Sequence, residues 1–387
     1  MKPTNTLLAA QQTTIFTVMS ALAAEHHAIN LGQGFPDTEG PAEVVRAAAE
    51  ALLDGRNQYA PLAGLPELRQ AVAAVNQRFY GLKVDPDSEV VVTSGGTEAL
   101  GCALAGLLDP GDEVVLFEPL YDTYLPVIRL LGAVPRLVRL EPPGWDIPRE
   151  ALAAAFSPRT KALLINTPMN PTGKVFTAEE LDFIAGLLVR HDAYAICDEV
   201  YEYLTYDNHR HVPLITRPGM RERCIRISSA GKTFSLTGWK VGYVTAAAPL
   251  AAAVMKAHQN LLFATPQNLQ RAVAQGLMMP DSYYAGLAAK MQAGRDRLAA
   301  GLARAGFAVL PCHGSYFLDA DFRPLGFTGD DVAFCRVMTA EAGVTAIPVS
   351  AFYEGEAPRH YARFAFCKRP EVLDEACARL ARRFGRG

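Results

Sequence analysis

The sequence predicts an α/β fold: a large domain with a mostly parallel seven-stranded sheet between helices, followed by a smaller α+β domain. Three observations predict it. From about residue 41, helix-like stretches alternate with short apolar runs, the pattern of a parallel sheet covered by helices. Those runs are nearly all apolar, as expected of strands buried on both faces. Near residue 280 the texture changes to a long Ala/Arg-rich helical stretch and then mixed elements. A chain of 387 residues is too long for one small core, which also favours a large domain plus a smaller one.

Taken in order, residues 1–40 read as an N-terminal segment packing with the small domain. The large domain is expected over 41–280. "PAEVVRAAAEALLDG" and "PELRQAVAAVNQRFYG" are amphipathic helices, each with Pro at its start and Gly at its end. The seven strands are "EVVVTSGG", "DEVVLFEP", "VPRLVRL", "KALLINTP", "AYAICDEV", "CIRISSAGK" and "VGYVTAA". Helices are expected between them over 97–108, 119–132 and 177–191. The small domain, 281–387, opens with the helix "YYAGLAAKMQAGRDRLAAGLARAG", passes through "FAVLPCHGSYFLDADF" and ends in "HYARFAFCKRPEVLDEACARLARRF".

Composition narrows the function classes. Half the residues are hydrophobic and 20% charged, an ordinary globular balance. A net charge of −3 offers nothing to a polyanion, so no nucleic-acid partner is expected. No apolar run approaches a membrane span, and "MKPTNTLLAA" is not a signal peptide, so a cytoplasmic location is expected. Seven scattered cysteines, none in C-x-x-C spacing, read as reduced core thiols. His209 and His211 read as surface residues, and no metal site is expected.

In open α/β sheets the chemistry gathers at the carboxyl ends of the strands. After the first strand, Gly96 and Thr97 open a helix, a place where backbone N–H groups meet an anion. Tyr121 follows the second strand as a flat aromatic, and Asn170 follows the fourth in "NPTG". The fifth strand ends in Asp198, a carboxylate costly to bury without a partner, with Tyr201 just beyond. The sixth ends in Ser228 and Ser229, and Lys232 follows among serines, threonines and glycines with no carboxylate nearby. One ligand needs an anion cradle, a flat aromatic, an amide, a buried carboxylate, a phenol and a free amine together: pyridoxal 5′-phosphate. Its aldehyde takes Lys232 in a Schiff base, which requires a lowered lysine pKa. Asp198 keeps the pyridine nitrogen protonated so that the ring can draw electrons.

With these residues in place the sequence resembles the fold-type I, class I aminotransferases, and within them the branch of kynurenine, glutamine–phenylpyruvate and methionine aminotransferases. The resemblance spans essentially the whole chain through "INLGQGFPD", "NQYAPLAG", "VTSGGTEAL", "DEVVLFEPLYDTY", "NTPMNPTGKVF", "CDEVYEYL", "SSAGKTFSLTGWKVGY" and "ARFAFCK", in the family's order. It implies that Lys232 is the Schiff-base lysine and the acid/base of proton transfer, and that Asp198 pairs with the ring nitrogen. Asn170 and Tyr201 would bond the ring's phenolic oxygen and Tyr121 would stack on the ring. Gly96, Thr97, Ser229 and Lys240 would hold the phosphate. Arg363 would take the substrate α-carboxylate as a bidentate pair, with Gly34 and Phe35 lining the substrate side. Tyr59 would reach the neighbouring subunit's phosphate, implying a homodimer with shared sites.

The activity so implied is transfer of an amino group from a large neutral donor, such as methionine, glutamine, an aromatic amino acid or kynurenine, to a 2-oxo acid by a ping-pong mechanism. "HQNLLFATP" lacks the arginine that aspartate-preferring relatives carry there, which disfavours aspartate. Two alternatives keep the cofactor: a β-lyase for cysteine S-conjugates or cystathionine, and an N-succinyldiaminopimelate aminotransferase, which calls for a further cation. A regulatory binding domain is disfavoured by the completeness of the site.

Overall fold

The computed structural model describes residues 2–11 and 13–385. A short strand, β1 (Ile29–Asn30), precedes the seven strands of the main sheet: β2 (Val90–Thr93), β3 (Glu113–Glu118), β4 (Val134–Arg139), β5 (Thr160–Asn166), β6 (Tyr194–Asp198), β7 (Cys224–Ser229) and β8 (Gly242–Ala246). They are ordered β2-β8-β7-β6-β5-β3-β4. β8 runs antiparallel to both of its neighbours, and every other pair is parallel. The central strands are apolar because helices cover both faces, as expected. β4 departs from that expectation. It is one of the two edge strands, half-exposed, with Pro135, Arg136 and Arg139 along it; a proline and charges are what an unpaired edge tolerates.

The helix expected over 119–132 is shorter, Tyr124–Leu130. The Leu120 N–H is bonded to the Phe352 carbonyl at 2.9 Å instead of to a helical partner, which keeps 119–123 as a turn. Two further helices, Ala248–Leu261 and Gln267–Leu277, lie before the Asp281–Arg304 helix. The first packs on the Gly95–Leu107 helix and the second on the Ala42–Asp54 and Pro66–Tyr80 helices.

Beyond residue 305 come β9 (Ala308–Val309), β10 (Phe317–Asp321), β11 (Val344–Thr345), β12 (Ile347–Pro348) and β13 (Tyr361–Ala365). Four of them form an antiparallel sheet ordered β12-β13-β10-β9, while β11 pairs in parallel with β1. Met19 and Leu31 join the same apolar cluster as Phe317, Phe334 and Phe364, so the N-terminal stretch packs on this C-terminal part. All seven cysteines are buried and free. His211, expected at the surface, is buried: its Nε2 lies 2.8 Å from Glu199 Oε2, a carboxylate that itself needs a partner inside the protein. Among the described residues, no helix is long and apolar enough to cross a membrane.

Candidate active site

Strand register brings the chemistry to one edge of the main sheet. Asn166, the last residue of β5, pairs with Asp198, the last of β6, and Ile227 of β7 lies opposite Asp198 on the other side. Ser229 ends β7, and the short Ala230–Thr233 helix then turns Lys232 inward. A cavity of about 450 Å³ opens above this edge, lined from the large sheet by Tyr121, Asp198, Tyr201, Ser229 and Lys232, and from the C-terminal sheet by Phe317 and Arg363. Gly34, Phe35, Gly96, Thr97, Asn170 and Lys240 complete the set of predicted residues on its wall.

Asp198 lies on the floor. Its Oδ2 accepts a 2.6 Å bond from the Tyr124 hydroxyl, and the Val200 N–H lies 3.4 Å from Oδ1. Burial raises its carboxyl above the usual range, and these two donors offset only part of the rise. Lys232 makes no ion pair among the described residues; its Nζ donates to the Tyr316 hydroxyl at 2.9 Å and sits over the Tyr201 and Tyr316 rings. Burial lowers its amine to about 8, the direction a nucleophilic lysine needs.

Arg363 stands at the other end. It is 1% exposed, donates to Asn170 Oδ1 and to the Gly32 carbonyl at 2.8 Å each, and packs over Phe317 at 4.0 Å. Burial lowers it to about 10. Asn170 is fixed in turn by its own N–H, bonded to Asn166 Oδ1 at 2.7 Å. Gly34 cannot carry a side chain: a Cβ there would lie 2.4 Å from Phe317 Cζ. Its carbonyl accepts the Tyr316 hydroxyl at 2.7 Å, so Tyr316 links Lys232 to the N-terminal segment.

At the opposite wall the Gly95–Leu107 helix begins. Gly95 has φ +73°, and a Cβ there would sit 3.3 Å from Lys240 Nζ, so the ammonium lies against the helix's positive end with nothing between. Glu98 braces the turn by accepting the Ser94 N–H at 2.6 Å and His258 Nδ1 at 2.7 Å. Tyr59 is placed differently from the rest. It is 81% exposed, does not line this cavity, and stands edge-on to Phe263 beside exposed Leu261 and Leu262.

Sequence reasoning missed Tyr316, Asn166, Asp122 and the bond from Tyr124. Tyr316 had one signal, the Gly-Ser-Tyr turn before an apolar strand, but nothing local to say which way it faced.

The donor set fits pyridoxal phosphate: an anion cradle with a free ammonium at a helix start, an under-neutralised buried carboxyl, and an unpaired amine of lowered pKa. Fold and site together define a pyridoxal-phosphate-dependent enzyme. The chain belongs to the family aminotransferase class I and II, which matches residues 26–380. It is 47% identical over 380 residues to a probable N-succinyldiaminopimelate aminotransferase of Mycobacterium tuberculosis, covering 95% of this chain and 96% of the relative. The solved structure of an N-succinyldiaminopimelate aminotransferase from that organism superposes with a TM-score of 0.95, at 47% identity and over 98% of this chain and 99% of the other. Similarity to the methionine aminotransferase of Escherichia coli is 41% over 368 residues, covering 95% of each chain. The chain is an aminotransferase that uses pyridoxal phosphate.

Proposed function

We propose that this aminotransferase takes its amino group from a large amino acid with an uncharged side chain and delivers it to a 2-oxo acid. One observation carries the reading. The cations among the described lining residues are Lys232, Lys240 and Arg363, and each has a task that leaves none for a side-chain carboxylate. The remaining wall is largely aromatic, with Phe16, Phe35, Tyr121, Tyr124 and Phe317, and its carboxylate Asp122 would repel an acidic side chain.

When bound, pyridoxal phosphate supplies an aldehyde that captures amines and a ring that draws electrons from Cα. Lys232 would hold the cofactor through its amine and, once released, carry the proton between the substrate Cα and the cofactor's C4′. Asp198 would keep the ring nitrogen protonated, Tyr121 would lie on the ring face, and Asn170 and Tyr201 would bond the phenolic oxygen. Gly96, Thr97, Ser229 and Lys240 would hold the phosphate. A guanidinium has five N–H groups. Arg363 gives one to Asn170 and one to Gly32, which leaves a hydrogen on each terminal nitrogen for a bidentate grip on the α-carboxylate. Gly34 and Phe35 would line the substrate side.

We further propose a cytoplasmic homodimer in which Tyr59 reaches the partner's phosphate; its exposure beside Leu261, Leu262 and Phe263 supports this. Residues 41–280 would form the cofactor domain, with 1–40 and 281–387 forming the smaller part.

A second reading, N-succinyldiaminopimelate as donor, draws support from the relative of that name at 47% identity. It needs a cation for distal carboxylates. Lys368, whose Nζ lies 2.7 Å from the Phe35 carbonyl, is one the chain offers. The test is to titrate the holoenzyme with methionine, glutamine, phenylalanine, kynurenine, aspartate and N-succinyldiaminopimelate, following the cofactor's absorbance. Conversion to the amine form by the neutral donors is expected. Conversion by N-succinyldiaminopimelate alone moves the assignment to the second reading, and pyruvate release from a cysteine conjugate without acceptor moves it to the lyase.

A further inference from the structure

Asp319 lies in the middle of β10, directly opposite Arg363 of β13 in the antiparallel register. Directly opposed residues of such a pair project to the same face, so this carboxyl and the guanidinium share one face of the sheet. The guanidinium packs among Phe16, Phe317 and Phe352 on that face. Both residues are 1% exposed. Neither oxygen of Asp319 has a hydrogen-bond partner among the described residues, and neither does the Nε–H of Arg363. A buried carboxyl without a donor is costly. Its chain neighbours Leu318 and Ala320 are apolar, as a core strand would have throughout.

Burial pushes the Asp319 carboxyl up to about 8, with Arg363 the cation that opposes the rise. The other titratable groups bearing on Asp319 or felt by it are Cys312, Tyr353 and Tyr361, each kept uncharged by burial. On its open side Arg363 feels Asp122, Tyr201 and Tyr316.

We propose that Asp319 is a positioning residue that sets, through its charge, how strongly Arg363 grips the substrate carboxylate, and that this grip therefore depends on pH. The proposal rests on reading Arg363 as the carboxylate-binding arginine. A neutral Asp319 leaves the guanidinium's field whole. An ionised Asp319 cancels part of it and repels the incoming carboxylate across the arginine. Carboxylate binding and protonation of Asp319 then favour one another, as linkage requires.

The test uses the holoenzyme and 3-phenylpropionate, a carboxylate with no amino group to titrate. Its dissociation constant is measured from pH 6.5 to 9 for wild type, Asp319→Asn, Asp319→Leu and Arg363→Gln. Between pH 7 and 9 the wild type should lose about fivefold more affinity than either Asp319 variant, the change that about one pKa unit of coupling gives over that range for a carboxyl at about 8. The two variants should share one shallower profile, since both are neutral at every pH. Calorimetry in buffers of different ionisation heat should show proton uptake on binding to the wild type near pH 8, and this measurement stands even where a variant does not fold. Variants that follow the wild-type profile, or binding to the wild type without proton uptake, overturn the proposal. An Arg363→Gln enzyme that binds the probe as tightly as wild type overturns the reading of Arg363 instead.

Discussion

Asp198 and Glu199 are neighbours on the chain and sit in opposite electrostatic surroundings. Glu199 is 0% exposed and ion-paired through Oε2, where Arg226 Nε donates at 2.5 Å and His211 Nε2 lies at 2.8 Å, while its Oε1 has no hydrogen-bond partner among the described residues. Arg226 goes on to bond Glu202 and Asn76, and Glu202 accepts the Tyr80 hydroxyl at 2.6 Å. Burial pushes Glu199 up, but Arg226 and His211 more than offset it, and its carboxyl ends below the usual range. Asp198 has only a phenol and one backbone N–H, and its carboxyl ends above that range. One side of the strand end is a closed ion cluster that fixes the fold. The other is left short of positive charge, as is Lys232 of negative charge, and on the proposed reading the cofactor completes both. An under-paired charge at a strand end is therefore the mark of the site, and a paired one marks the scaffold behind it.

The comparison can be broken most decisively at Lys232. Lys232→Ala should lower kcat by about 10⁴-fold or more, since on the proposed reading one group serves as both attachment point and proton carrier. A loss of tenfold or less would remove it from the chemistry. Its lowered pKa gives a second reading of the same contrast: below about 8 the amine is protonated, above it is a nucleophile. Labelling of the cofactor-free protein by an amine-reactive probe should therefore rise through pH 8, well before ordinary lysines react.

On the closed side, Arg226→Leu leaves Glu199 and Glu202 without their cation. It should cost about 3–5 kcal/mol in urea unfolding, a loss that Lys232→Ala should not share. Equal stability of the two variants would show that the cluster does not hold the fold. Next in size, Asp198→Asn should reduce kcat by about 10²–10³, in the range of losing one preorganised electrostatic contact. The same change should stabilise the cofactor-free protein. A carboxyl whose folded pKa is raised favours folding below its unfolded pKa, and that advantage is lost as pH rises towards the folded value. The melting temperatures of variant and parent should thus coincide in acid and separate, variant higher, towards neutral pH. The smallest effect is expected from Tyr124→Phe, which removes the 2.6 Å bond to Asp198. A loss of about tenfold in kcat fits the low end of what one hydrogen bond to a charged group contributes; no change at all would mean that the cofactor alone orients Asp198.

Much of this was legible because the informative residues are local in sequence. Apart from the edge strand β4, the strands of the main sheet are short, largely apolar runs, and Gly96, Tyr121, Asn170, Asp198, Ser229 and Lys232 stand at or just past the ends of such runs. Where reading failed, the deciding contact came from far along the chain. The turn at 119–123 is held open by Phe352, and His211 is drawn inside by a carboxylate it could not be matched to beforehand. Tyr124 meets Asp198 across 74 residues, Lys232 meets Tyr316 across 84, and Arg363 meets Asn170 across 193. Asp319 looked like one more acidic residue in "FLDADF" until β-register set it against Arg363.

The sequence by itself determined the alternation of helix and strand and the cofactor, and pointed to the residues proposed to hold it, because periodicity and strand-end chemistry are written within a few residues of one another. Tertiary structure alone decided which charges are paired and which are left open, since a charge's state depends on its burial and on partners brought near by the strand order β2-β8-β7-β6-β5-β3-β4 and by the packing of the C-terminal sheet over its edge.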